Sequence, residues 1–103
     1  MRHNLQDYVL LDRLSELGEV DPRPMFGGFG LFLEGRFFGL AVGGQAYFKT
    51  WPESLPRYKD LGMQPFQPSP TTRLDTYYQV PPEVTRDPRQ LCEWARESWQ
   101  GFR

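Results

Sequence analysis

With 103 residues, the chain has room for one hydrophobic core, and its three Trp, five Tyr and eight Phe exclude a disordered protein. A formal net charge of −1, with basic residues scattered among acidic ones, disfavours direct nucleic-acid binding, which usually needs a basic stripe. The single cysteine excludes an intramolecular disulfide, and acidic residues near the start with no long apolar run exclude a signal peptide and a membrane span, so we expect a cytoplasmic protein.

The first predicted element is a helix over residues 4–17. Leucines and other apolar residues recur there near the 3.6-residue period, and Asn4 with Asp7 resembles a capping box. Gly18 is suited to the position after the helix. The Asp-Pro-Arg-Pro run at 21–24 then predicts an extended connection, because a residue that precedes proline is disfavoured in the α region.

Three antiparallel strands are predicted next, at 27–33, 36–42 and 45–50, with tight turns at Glu34-Gly35 and Gly43-Gly44. Two-residue turns would place Gly30 and Gly39 together beside Phe48, on the face that also carries Phe32, Phe37, Ala41, Ala46 and Thr50. The opposite face would carry Phe29, Leu31, Leu33, Phe38, Leu40, Val42, Tyr47 and Lys49. Both faces are apolar, and three short helices could cover one face and part of the second. We therefore expect the remainder to meet a partner, most simply a second copy in a homodimer.

The second half of the chain predicts a short helix at 53–61, a proline-rich surface loop at 63–72 and a strand at 76–80. Asp87-Pro88 is typical of a helix start and predicts a last helix that runs to about Gln100. The pattern as a whole predicts a single α+β domain over residues 1–103. An N-terminal helix precedes an antiparallel sheet of four or more strands, and C-terminal helices pack on that sheet.

The sequence contains few candidate catalytic residues. His3 is the only histidine and lies in the N-terminal tail, and Cys92 lies within a predicted helix, where packing is the better interpretation. The glycines at 27–30 lead into a strand and lack the ending of a phosphate-binding loop. Tyr77-Tyr78 could serve as a base-stacking platform, but core packing is favoured without a basic groove. We therefore expect a protein that is not an enzyme and that has neither a cofactor nor a metal site.

Several segments together resemble the N-terminal domain of the TfoX/Sxy family: Arg23-x-Met25-Phe26-Gly27-Gly28-Phe29-Gly30-Leu31-Phe32, Gly35-Arg36, Tyr47-Phe48-Lys49, Pro65-Phe66, Tyr77-Tyr78-x-Val80-Pro81 and Asp87-Pro88-x-x-Leu91-x-x-Trp94-Ala95-Arg96. The resemblance implies an α+β fold in which a helix precedes a strongly curved antiparallel sheet. It also implies a role like that of competence regulators, which act as co-activators with the cyclic-AMP receptor protein. Full-length members carry a second, helical C-terminal domain, so we expect this chain to be a stand-alone N-terminal module.

These observations predict a non-enzymatic protein-interaction module in bacterial transcriptional regulation, with a protein partner such as a transcription regulator. The residues predicted to contact the partner are Arg23, Lys49 and Tyr78. Each has a structural alternative: Arg23 could pair with an acid, Lys49 could extend along a sheet edge, and Tyr78 could belong to the core. The alternative function is a small-ligand binding protein with a pocket between sheet and helices.

Overall fold

Four α-helices and six strands follow one another along residues 4–102, the part of the chain that the computed structural model describes; His3 lies outside it. The elements are α1 (Leu5–Arg13, continued by a 3₁₀ turn at Leu14–Leu17), β1 (Asp21–Met25), β2 (Gly28–Leu33), β3 (Arg36–Val42), β4 (Gln45–Lys49), α2 (Leu55–Asp60), β5 (Pro65–Ser69), β6 (Thr72–Gln79), α3 (Pro82–Thr85) and α4 (Pro88–Gln100). The predicted α+β fold, with an N-terminal helix and C-terminal helices, is confirmed.

The six strands form one antiparallel sheet in the order β1-β2-β3-β4-β6-β5. Residues 21–24, predicted to be a connection, belong to edge strand β1, and residues 63–72, predicted to be a loop, contain edge strand β5. Pro22, Pro24, Pro65 and Pro68 obscured both strands in the sequence. Proline cannot donate to a strand ladder, and an edge strand tolerates it because one side of that strand needs no donors.

The predicted register is wrong beyond the start of the β2–β3 hairpin. Phe32 pairs with Phe37 as expected, but Leu31 pairs with Gly39, so Phe38 is an extra residue in a β-bulge. The bulge moves the rest of β3 to the opposite face. Leu40 therefore shares a face with Gly30 and Tyr47, whereas Phe29 and Leu31 share the other with Ala41, Ala46 and Phe48.

The helices cover one face of the sheet and build the main core there. Leu10 of α1 and Leu91 of α4 pack in a cluster with Leu31 and Phe48, and each is at most 1% exposed. Burying one such side chain contributes about 1.5–3 kcal/mol. Ser98 near the end of α4 also reaches the sheet, where its Oγ lies 2.9 Å from the Phe38 carbonyl oxygen at the bulge and 2.8 Å from the Lys49 carbonyl oxygen, so the two acceptors share its single proton.

The opposite face, which the helices leave uncovered, is concave. The ring of Phe26 in the β1–β2 turn lies 5.3 Å from that of Phe66 on the far edge strand, and Phe66 lies 4.7 Å from Tyr47. In a flat sheet with strands about 4.8 Å apart, the two edges would be separated by roughly 20 Å or more. The contact therefore shows that the sheet curves strongly. One end of this concave face is closed over Leu40, which is fully buried.

Candidate functional site

At the open end of the concave face, three aromatic rings from three strands lie in a row. Phe32 of β2 stacks on Phe37 of β3 with ring centroids 4.9 Å apart, and Phe37 stacks on Tyr77 of β6 at 4.8 Å. All three side chains are partly exposed. Phe32, Phe37 and Tyr77 are called the aromatic row below. Parallel rings at this separation stabilise one another by about 0.5–1.5 kcal/mol beyond the area that they bury.

Two cations flank the aromatic row. The Arg23 guanidinium of β1 lies 4.2 Å from the centre of the Phe32 ring, while Lys49 Nζ of β4 lies 5.7 Å from the Tyr77 ring and 4.9 Å from the Trp51 ring. These distances fall within the range of cation–π attraction. The surface thus combines partly exposed apolar rings with positive charge, a composition that is common in protein-binding surfaces.

Lys49 is held in place through both its side chain and its backbone. Its Nζ donates a hydrogen bond of 2.9 Å to Thr76 Oγ1, and its carbonyl oxygen lies 2.8 Å from Ser98 Oγ on the helix side. Partial burial lowers the pKa of the Lys49 ammonium from its usual value. The ion pairs within residues 4–102 are Arg23–Asp21, Arg57–Glu97 and Arg73–Asp75, so no described carboxylate lies within 4.0 Å of Lys49.

Tyr77 is fixed at the other side of the row by its hydroxyl, which donates a 2.8 Å hydrogen bond to the Phe37 carbonyl oxygen. Burial raises the pKa of this phenol to about 12, because the charged phenolate is disfavoured away from water. The ring therefore stays neutral at physiological pH. Its orientation is set by a backbone acceptor on a strand two places away in the sheet.

The structure brings Arg23 and Lys49 to the same face and places Tyr78, the third predicted contact residue, on the other. Tyr78 pairs with Phe48 and packs at the edge of the main core, with its ring centroid 6.2 Å from that of Tyr58. Sequence reasoning put Phe32 and Phe37 on one face but missed that Tyr77 joins them. Tyr77 joins the row because it pairs with Lys49 across β4 and β6. These strands are not consecutive in the chain, so their pairing cannot be predicted from a tight turn between them.

Other parts of the structure are weaker candidates for a functional site. A groove of about 410 Å³ lies between Trp51 and the end of α4, open to solvent, with Glu53, Glu97 and Gly101 among its lining residues. Cys92 is buried, and burial raises the pKa of its thiol. Within residues 4–102, no three His, Cys, Asp or Glu side chains converge as metal ligands. In the same stretch, every helix is too short or too polar to cross a membrane.

Comparison with known proteins agrees with this architecture. The model of the TfoX N-terminal domain matches residues 12–102. A curated relative, DNA transformation protein TfoX1 of Aliivibrio fischeri, is 30% identical over 92 residues. That alignment covers 87% of this chain and 44% of the relative, so the chain spans less than half of the relative's length. The match extends over both sheet edges, the aromatic row and α4. The chain therefore belongs to the TfoX N-terminal domain family.

Proposed function

We propose that this chain is a non-enzymatic protein-interaction module of DNA transformation, which acts in transcriptional regulation by docking a protein partner on the aromatic row. Family membership and the name of the relative, a DNA transformation protein, support the process. The observation that carries the mode of action is the row itself. Three partly exposed rings with a cation on either side lie on the face that the helices leave uncovered.

The sheet edges favour docking on the face over addition of a strand. A peptide that extends a sheet needs a row of free donors and acceptors along an edge strand. Each edge strand carries two prolines, Pro22 and Pro24 in β1 and Pro65 and Pro68 in β5. Every one of these prolines removes one backbone N–H group. A partner therefore gains more by covering the rings than by pairing with an edge.

Stacking of nucleic-acid bases is disfavoured at the same place. A base needs an open ring face on which to lie. Phe37 is stacked on both sides, and Phe32 lies between Phe37 and the guanidinium of Arg23. The chain also has a formal net charge of −1, so long-range attraction to phosphate is weak. Apolar side chains of a protein partner can pack against the exposed ring edges.

A complementation experiment tests this function. A strain that lacks the gene receives the wild-type chain, the double variant Arg23→Ala/Phe32→Thr, or Arg57→Ala, and both the transformation frequency and the expression of DNA-uptake genes are measured. Arg57 is the matched control, because its guanidinium stacks on Trp94 at 3.8 Å on the helix side. We expect the double variant to fail and Arg57→Ala to restore wild-type levels. Full activity of a folded double variant would refute docking on the row.

A further inference from the structure

The concave face has an unequal charge balance. Four cations lie on the strands of the sheet. Arg36 stacks on Trp99 of α4, on the helix side, and Arg23 and Arg73 each pair with a carboxylate two residues away on the same strand, Asp21 and Asp75. Lys49 is the fourth, and no carboxylate within residues 4–102 pairs with it. The face therefore presents one uncompensated positive charge, next to the aromatic row.

Two features of Lys49 lower the free-energy cost of binding a partner's carboxylate. The hydrogen bond to Thr76 and the rings of Trp51 and Tyr77 restrict the Lys49 side chain, so little further conformational entropy is lost when it is bound. Part of the ammonium's hydration is already lost through burial, as its lowered pKa indicates. An incoming carboxylate therefore meets a cation that has already incurred part of its desolvation cost.

A second copy of the chain is a poor source of that carboxylate. Asp21, which the strand pairing places on the concave face opposite Phe32, already pairs with Arg23. A face-to-face dimer would have to break that pair to neutralise Lys49, or else bury the ammonium without a counter-charge, which is unfavourable. Charge complementarity favours a different chain that brings its own acid.

We propose that Lys49 receives the carboxylate of an Asp or Glu in an acidic segment of the protein partner, and that an apolar side chain next to that acid covers Phe37 and Tyr77. The inference rests on the proposed function and adds the chemistry of the partner. Lys49 selects the acidic segment, because an uncharged or basic segment would leave the ammonium partly buried and unpaired. The rings contribute most of the buried apolar area.

The test is a selection of random peptides displayed on phage against the intact wild-type chain, followed by titration of the selected synthetic peptides into labelled protein by NMR. We expect the selected sequences to place Asp or Glu beside an apolar residue and to shift the resonances of the aromatic row. The Lys49→Gln substitution should weaken the affinity of these peptides for the protein by about tenfold or more. Lys59→Gln is the matched control, since Lys59 is the other lysine of the chain and is exposed on α2, and it should leave binding unchanged.

The other outcomes contradict the role of Lys49 alone, the identity of the partner, or both proposals. Peptides that shift the row but bind Lys49→Gln as well as wild type would overturn the role of Lys49 and leave the docking surface in place. Peptides that bind only elsewhere, such as the Trp51 groove, would overturn both. Shifts of the row on raising the protein concentration alone would favour a second copy. Binding of a single-stranded oligonucleotide that depends on Lys49 would favour a phosphate, and either result contradicts the acidic segment.

Discussion

Two glycines of the sheet show how local space decides what a residue position tolerates. Gly39 faces the main core, where an added Cβ would lie 2.6 Å from the Tyr47 carbonyl oxygen and 2.7 Å from Phe48 Cδ1. Gly30 faces the concave side, where the Cβ would meet the end of the Met25 side chain, 2.5 Å from its Cε. Backbone and a packed ring cannot move aside, whereas a methionine side chain is flexible.

Alanine at the two positions should therefore have different effects. We expect Gly39→Ala to lower the free energy of unfolding by about 1–3 kcal/mol through overpacking. Gly30→Ala should cost clearly less, because Met25 can adopt another rotamer and alanine restricts the unfolded chain. Urea denaturation of both variants and wild type measures the difference. Equal losses would contradict the placement of the two glycines on opposite faces.

Helix α4 is the element that ties the site to the rest of the fold. Its first turn is capped by Asp87, whose Oδ1 accepts hydrogen bonds from the backbone N–H groups of Arg89 and Gln90 at 3.0 and 3.4 Å. Its last turn brings Ser98 to the carbonyl of Lys49. The hydrogen bonds that Asp87 accepts, chiefly from Gln90, lower the pKa of its carboxyl group. The start of the helix therefore contributes to stability at neutral pH.

Removal of this helix cap should lower the stability of the fold. Asp87→Ala should lower the free energy of unfolding, and Asp87→Asn should retain most of the stability, since asparagine caps helices nearly as well. Because the folded-state pKa is lowered, the contribution of the charge is present at neutral pH and is lost as the pH falls below the ordinary value of 3.8. Urea unfolding at neutral and acidic pH tests both statements. An Asp87→Ala variant as stable as wild type would contradict them.

The elements also show what the sequence could reveal. Caps and glycine turns are local, so α1, α4 and the β2–β3–β4 meander could be predicted from neighbouring residues. The bulge at Phe38 could not, because its cost is offset by a distant hydroxyl on Ser98. Lys49 could be found as a charge within an apolar strand, and Arg23 through the sequence motif that precedes the predicted sheet. Tyr77 could not be joined to them, because its place depends on the pairing of β4 with β6 across the intervening helix and edge strand.

At the scale of the whole molecule, the exposed apolar surface is concentrated on the outside of α1. Leu5 is 77% exposed and Tyr8 49% exposed on adjacent turns of the helix. A second copy could cover these side chains without burying Lys49. The predicted homodimer stays a prediction, and the outer face of α1 suits it better than the sheet face does.

Light scattering coupled to size exclusion at micromolar concentration measures the oligomeric state. We expect a mass of twice the 12.1 kDa chain, because association removes the α1 side chains from water. Val9 is 36% exposed on the same helix, four residues from Leu5. The double variant Leu5→Gln/Val9→Gln should yield the single-chain mass, since glutamine preserves helix propensity but removes the apolar contact. Leu61→Gln is the control, as Leu61 is 52% exposed at the end of α2 and should not matter. A wild-type chain of 12.1 kDa would refute the dimer.

The edge prolines have a further consequence for the chain before it is fully folded. The central strands contain Gly-Phe-Gly-Leu-Phe-Leu and Arg-Phe-Phe-Gly-Leu-Ala-Val, which are apolar and aromatic enough to assemble into intermolecular cross-β aggregates. Pro22 and Pro24 stand just before the first of these segments in the sequence, as gatekeepers do. Because proline has no N–H group to donate, these two residues disfavour extension of a cross-β ladder through β1 when the molecule is partly unfolded. We therefore expect the edge prolines to limit aggregation of the partly folded chain.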